Sequence, residues 1–336
     1  MKYGDEGVKT KWLLIGILLF LFLFPRLGAA QDSGLSVSYV VGVYQPSLKT
    51  FNRILGDPTL SILQDPNYLL PRNRLLPVEV RDIIAPQITG NTNYGLELQY
   101  QATEKFALVT TLSLWTGQSR ASDVITTFLR QDLPPVSAPR SASYDLTVTQ
   151  IWLGWKYTIF QDPDKGRFFI NIGLVGISIV NLMMDSVIKV NSPDLNFASV
   201  SSTEAQGIAF TSRLGVGGEY FVTPWFSFGV NSSYVIGSSS RMRVKRHFQS
   251  SFFDIPAPPP ETTDLANVPP TPQVGDTLTY ARVQTQNITD ICDPPARDSQ
   301  GNVIPDTCAR GPQAAGKPLE LELNGFQITA SLRFYF

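Results

Sequence analysis

The chain holds one histidine, His247, and Ser250, Ser251 and Asp254 follow close behind it. An imidazole beside a hydroxyl and a carboxylate is the set that could activate a serine nucleophile. All four residues fall within one short loop-like segment, which is not a recognisable triad spacing, so an enzyme is not expected. Cys292 and Cys308 are the two cysteines. In an exported chain they are expected to close their loop as a disulfide. Zinc fits poorly, because no second cysteine pair exists and His247 is remote in sequence. Asp162-Pro-Asp164 reads as turn chemistry and not as a metal site. No phosphate loop, Cys-x-x-Cys or EF-hand pattern is present, so no cofactor is expected.

The other candidates for chemistry are charges set in an alternating pattern. Glu97, Lys156, Arg213, Glu219 and Arg333 each sit on the polar side of a segment whose other side is apolar. The last of these segments, 326–336, is the clearest. Phe326, Ile328, Ala330, Leu332, Phe334 and Phe336 share one face, and Gln327, Thr329, Ser331, Arg333 and Tyr335 share the other. Period-two alternation predicts a strand between two different solvents. Seven more segments read the same way: 35–44, 94–102, 106–115, 144–159, 168–179, 208–221 and 225–234. Each has the length that a tilted strand needs to cross a bilayer, about 10 residues.

The connections sort these strands. Strands two and three, four and five, and six and seven are joined by short turns, whereas 45–93, 116–143, 180–207 and 237–324 are long. Strict alternation of short and long connections is what an up-and-down barrel produces, with short periplasmic turns and long external loops. The N-terminus agrees. Lys2, Lys9 and Lys11 precede an apolar run at 12–24, and Gly28-Ala29-Ala30 follows. Residues 1–30 therefore read as a signal peptide cut after Ala30, with residues 31–336 as the mature barrel. Charged residues are only 16% and net charge is -1, so no basic excess points to nucleic acid. The strand count is eight, with ten as the alternative, because 276–288 and 319–323 also have strand character.

These strands and turns resemble the OmpA/OmpX-like superfamily of small bacterial outer-membrane β-barrels. The resemblance covers the strands, a third to a half of the chain. It implies an all-β, transmembrane, up-and-down antiparallel barrel in the cell outer membrane, consisting of the barrel alone without a peptidoglycan-binding domain. It also implies that the terminal aromatics, Phe334 and Phe336, are read by the barrel-assembly machinery, and that outer-membrane lipids surround the wall.

An eight-stranded barrel is just wide enough for side chains to fill. Glu97, Lys156, Arg213, Glu219 and Arg333 are therefore expected to form a polar network that plugs the lumen; a narrow channel gated by the same pairs is the alternative. Tyr44, Trp115, Trp152, Trp155, Tyr157, Tyr220, Trp225 and Tyr335 are expected in the interfacial aromatic girdles. Arg241, Arg243 and Lys245, with His247, would face inward at the external mouth if strand seven simply continues upward; otherwise they are a solvated run marking the membrane boundary. The last long loop carries the proline runs at 256–260 and 269–270, which favour irregular, surface-displayed chain. The expected role is structural or surface-interacting. A small porin or solute channel is the second reading, and a rim-located lipid-modifying enzyme using His247 is the third.

Overall fold

The computed structural model describes residues 34–58, 60–62, 76–77, 83–128, 135–162, 165–192, 195–254, 273–282 and 317–336. The export segment, both cysteines and both proline runs lie outside the described residues. In chain order the elements are β1 (Gly34–Pro46), α1 (Lys49–Gly56), β2 (Leu60–Ile62), β3 (Leu76–Pro77), β4 (Asn91–Thr103), β5 (Phe106–Phe128), β6 (Pro135–Asp162) and β7 (Gly166–Ser192). They continue as β8 (Leu195–Thr223), β9 (Phe226–Ser239), β10 (Arg243–Asp254), β11 (Thr279–Arg282), β12 (Lys317–Pro318) and β13 (Gly325–Tyr335).

Eight of these strands close on themselves. The order around the wall is β8-β7-β6-β5-β4-β1-β13-β9, and β9 pairs back onto β8. Every pairing is antiparallel, including the seam between β1 and β13, where Ser38 stands opposite Arg333. Closure leaves no unpaired edge in the membrane, which is the condition for strands to cross lipid. The outward set is apolar: Leu98, Leu112, Leu153, Val216, Phe228 and Ile328 are all exposed. Exposed aromatics bracket that band. Tyr100, Tyr157, Phe168, Tyr220 and Trp225 lie near the short turns, and Tyr94, Tyr234 and Phe326 lie near the other end. An apolar belt around the whole wall is stable only in lipid.

The wall is uneven in height. β5 to β8 run for 23, 28, 27 and 29 residues, whereas β1, β4, β9 and β13 run for 13, 13, 14 and 11. The segments 116–143 and 180–207, expected as loops, are therefore mostly strands. They form two long hairpins that rise beyond the apolar band, and β10 adds to the upper part of β8 from Arg243↔Gln206 to Asp254↔Asn196. The strand geometry is continuous, but hydropathy changes sides. On β6 the inward residues are Lys156 and Gln150 low in the wall, then Val148, Leu146 and Ala142 higher up, while Thr147 and Asp145 face outward. Above the lipid, the strand follows the apolar-in, polar-out rule of a sheet in water.

That inward apolar surface encloses a second core. Phe51, Ile54 and Leu55 of α1 pack into the flared mouth with Trp115, Leu146, Val148, Val180, Leu182, Met242, Leu319, Leu321 and Leu323. Leu48, in the left-handed region at φ 42°, turns the chain from β1 into this helix. The 319–323 segment, considered above as an extra barrel strand, enters the mouth instead. Leu321 N donates to Ser239 Oγ at 2.8 Å and Leu323 N to Gly237 O at 2.9 Å. β11 pairs with β2 and β12 as a separate three-stranded sheet. The transmembrane barrel is thus eight-stranded.

Candidate functional site in the barrel lumen

Below the apolar mouth lies a charged layer. Inward positions on β4, β6, β8 and β13 place all five predicted residues, Glu97, Lys156, Arg213, Glu219 and Arg333, inside the wall, each buried. Glu97 is the hub. Its carboxylate is 2.5 Å from Lys156 Nζ and accepts a hydrogen bond from Arg333 Nη2. Arg333 Nε lies 3.1 Å from Glu219 on its other side. The residues between these partners are small: Ser36 and Ser38 on β1, and Ser227 and Gly229 on β9. Long side chains can therefore cross over a whole strand to meet.

Arg167 was not among the expected residues, yet it completes the layer. Its Nε donates to Glu219 Oε2 at 2.8 Å, its Nη1 to Gln101 Oε1 at 3.0 Å and its Nη2 to Tyr335 Oη at 2.9 Å. It stands one residue before Phe168, where the sequence reading began the strand; extending the alternation by that residue would have found it. Ser227 and Tyr335 hydroxyls also donate to Glu219, and Arg333 Nη1 donates to Ser36 Oγ at 3.2 Å. Arg213 Nη2 donates to Thr111 Oγ1 at 3.3 Å, and its guanidinium lies over Trp152, 5.2 Å from the ring centroid. Each of the eight barrel strands contributes at least one side chain to this layer. Satisfied buried pairs of this kind are costly to break, because removing one partner strands the other in a dry interior.

The aromatic and basic expectations divide. Trp155, Tyr157, Tyr220 and Trp225 face outward, and Trp225 stacks on Phe334 with centroids 6.4 Å apart. Phe334 faces outward, and Phe336 N donates to Leu35 O at 3.0 Å. Tyr44, Trp115 and Trp152 are instead buried inside, and Tyr335 belongs to the lumen network. Trp115 Nε1 donates to Tyr44 O at 2.9 Å, so the pair floors the apolar core and does not anchor the wall in lipid. Arg241, Arg243 and Lys245 do not face inward. The chain leaves the ladder at 240–242 and a bulge follows at Val244/Arg246, so the inward places go to Met242 and Val244, while the three cations are exposed. His247 faces Thr203, with Nδ1 2.6 Å from Thr203 Oγ1. Ser250 is exposed on the opposite face of β10 from His247. The Cys292–Cys308 bridge lies outside the described residues.

No family model matches the chain, and no curated protein matches it. Among solved structures it is similar to the outer membrane protein OprG from Pseudomonas aeruginosa, at 8% identity and a TM-score of 0.36, over 91% of this chain and 97% of that one. It is also similar to the outer membrane protease OmpT from Escherichia coli, at 9% identity and a TM-score of 0.31, over 93% of this chain and 99% of that one. The eight-stranded fold rests on the strand pairing described above.

Proposed function

We propose that this protein is a bacterial outer-membrane β-barrel that acts as a closed scaffold, with its function carried by the tall external wall and the segments above it. The observation that supports this reading most is the double closure. The charged layer takes side chains from all eight barrel strands, and an apolar core with α1 fills the mouth above it. An ion crossing such a path would have to break buried pairs and then enter a dry core, and both steps cost several kcal/mol. Outer-membrane lipids are the partners of the apolar belt. Phe334 and Phe336 serve as the assembly signal recognised by the barrel-assembly machinery. In this reading the protein acts as a scaffold and not as a catalyst.

The test is planar-bilayer conductance of residues 31–336 refolded in detergent, with heat-modifiable migration on a gel as proof of folding. A silent bilayer with a folded barrel is expected. Discrete, reproducible steps that change with Glu97→Gln would replace this reading with that of a small channel.

A further inference from the structure

The charges in the lumen layer do not balance. Lys156, Arg167, Arg213 and Arg333 face two carboxylates, Glu97 and Glu219, and these are the buried charged groups of the layer among the described residues. The imbalance has an address. Lys156, Arg167 and Arg333 each hold a carboxylate directly, whereas among the described residues none lies within ion-pair distance of Arg213. Arg213 has the Thr111 hydroxyl and the Trp152 ring as partners, and its buried Nε has no acceptor among the described residues. A hydroxyl and a ring face offset only part of the cost of holding a guanidinium in a dry interior.

Arg213 lines a cavity of about 20 Å³ in the lumen, together with Lys156, Asn93, Thr111, Asn231 and Thr329. The volume accommodates one small group. Asn93 is buried in the same wall, and neither its amide nitrogen nor its oxygen has a partner among the described residues. Glu97 also borders the cavity; its carboxylate pairs directly with Lys156 and Arg333 and accepts from the Thr111 hydroxyl, to which Arg213 donates. The cavity thus presents a cation that reaches a carboxylate only through the Thr111 hydroxyl, an amide with no partner among the described residues, and hydroxyls. A neutral solute would leave the charge uncompensated, and a space that admits about one water-sized group favours a monatomic anion over a polyatomic one.

We infer that this cavity is a binding site for one small monovalent inorganic anion of the halide class, held by Arg213 with Asn93 as second donor. Its role would be to offset one of the two positive charges that the carboxylates leave over, the one carried by Arg213. The inference rests on the closed-lumen reading.

The probe is bromide. Crystals of the detergent-solubilised protein grown in sodium bromide should give an anomalous peak in the cavity beside Arg213, and Arg213→Met should abolish it. Thermal unfolding gives a second readout: replacing gluconate by bromide at constant ionic strength should raise Tm with bromide concentration in the wild type, as expected for a ligand that binds only the folded state. That rise should vanish in Arg213→Met and shrink in Asn93→Ala, which leaves every ion pair of the layer in place. An ordered lumen with no bromide peak, or a Tm rise of equal size in both variants, overturns the site. Conductance keeps the two readings apart. A silent bilayer without a bromide peak sinks the anion site alone, whereas a conducting barrel without one removes both.

Discussion

Arg333 and Glu97 stand on β13 and β4, which never pair, yet they meet because both lie directly opposite Ser38 of the intervening β1. Two strand spacings separate their backbones by about 10 Å. A long guanidinium and a glutamate span that distance only over a residue too small to block them. The Ser38 hydroxyl itself has no partner among the described residues, so its value lies in its size. Ser38→Ala should therefore change stability by less than about 0.5 kcal/mol. Ser38→Leu should drive a wedge between the pair and cost at least about 3 kcal/mol. Urea unfolding of the detergent-refolded barrel, followed by gel mobility, measures both; equal effects would show that the crossing does not depend on Ser38.

Glu97 and Arg213 should respond in opposite ways to loss of charge. Glu97 serves two cations, so Glu97→Gln leaves Lys156 and Arg333 short of a carboxylate and should cost about 3–5 kcal/mol. Arg213 holds no carboxylate directly among the described residues and reaches Glu97 only through the Thr111 hydroxyl. In halide-free buffer, Arg213→Met should cost less than about 1 kcal/mol or even stabilise, since an apolar side chain of similar length replaces an unpaired charge. The same unfolding assay decides, and a large loss in Arg213→Met without halide would count against the assignment of charges within the layer.

The alternation that made the membrane strands legible also explains where reading the sequence stopped short. On β1, β4 and β13 the greasy face meets lipid and the polar face meets the lumen, so Glu97 and Arg333 are where period two puts them, and Tyr44 and Tyr335, expected in the girdles, follow the same inward parity. On β6 the same strand continues past Ile151, but Thr149, Thr147 and Asp145 now face water and Val148 and Leu146 face the mouth. Looking for outward apolar residues finds none above that crossing, so the reading stops at Tyr144 although the strand continues to Pro135. The mouth core was hidden for a different reason. Phe51, Ile88, Leu319 and Leu323 lie in segments with no shared period, and they come together only because the uneven wall leaves a basin for them. For the basic run at 241–245 the sequence leaves two readings, and a break in the ladder followed by a bulge, neither marked in composition, gives the solvated one.

Trp152 and Trp225 offer a direct check on which aromatics touch lipid. Trp152 is 1% exposed inside the barrel, against 59% for Trp225 on the outer wall. In single-tryptophan variants reconstituted in bilayers with brominated acyl chains, Trp225 fluorescence should be strongly quenched and Trp152 fluorescence nearly unaffected. Quenching of Trp152 comparable to that of Trp225 would mean that the inward and outward faces of β6 have been exchanged.

Glu322 ties the mouth core to the barrel. The residue preceding α1, Leu48, has no side-chain acceptor for the first amides of the helix, and Glu322 supplies one from far along the chain. Its Oε2 accepts from Thr50 N at 3.0 Å, its Oε1 from Thr50 Oγ1 at 2.5 Å, and its backbone oxygen from Leu48 N at 3.1 Å. A carboxylate at a helix N-terminus also meets the positive end of the dipole. Glu322→Ala keeps the backbone contact and removes the rest, so α1 should lose about 1 kcal/mol, the usual value of an N-terminal cap. Amide exchange in α1 should then speed up by roughly fivefold if it proceeds by local opening, while heat-modifiable migration of the barrel stays unchanged. Unchanged exchange would mean that packing of Phe51, Ile54 and Leu55 alone fixes the helix. Exchange that speeds up equally in α1 and in the membrane strands would mean that the mouth core and the barrel unfold as one unit, and that the upper closure cannot open while the charged layer stays shut.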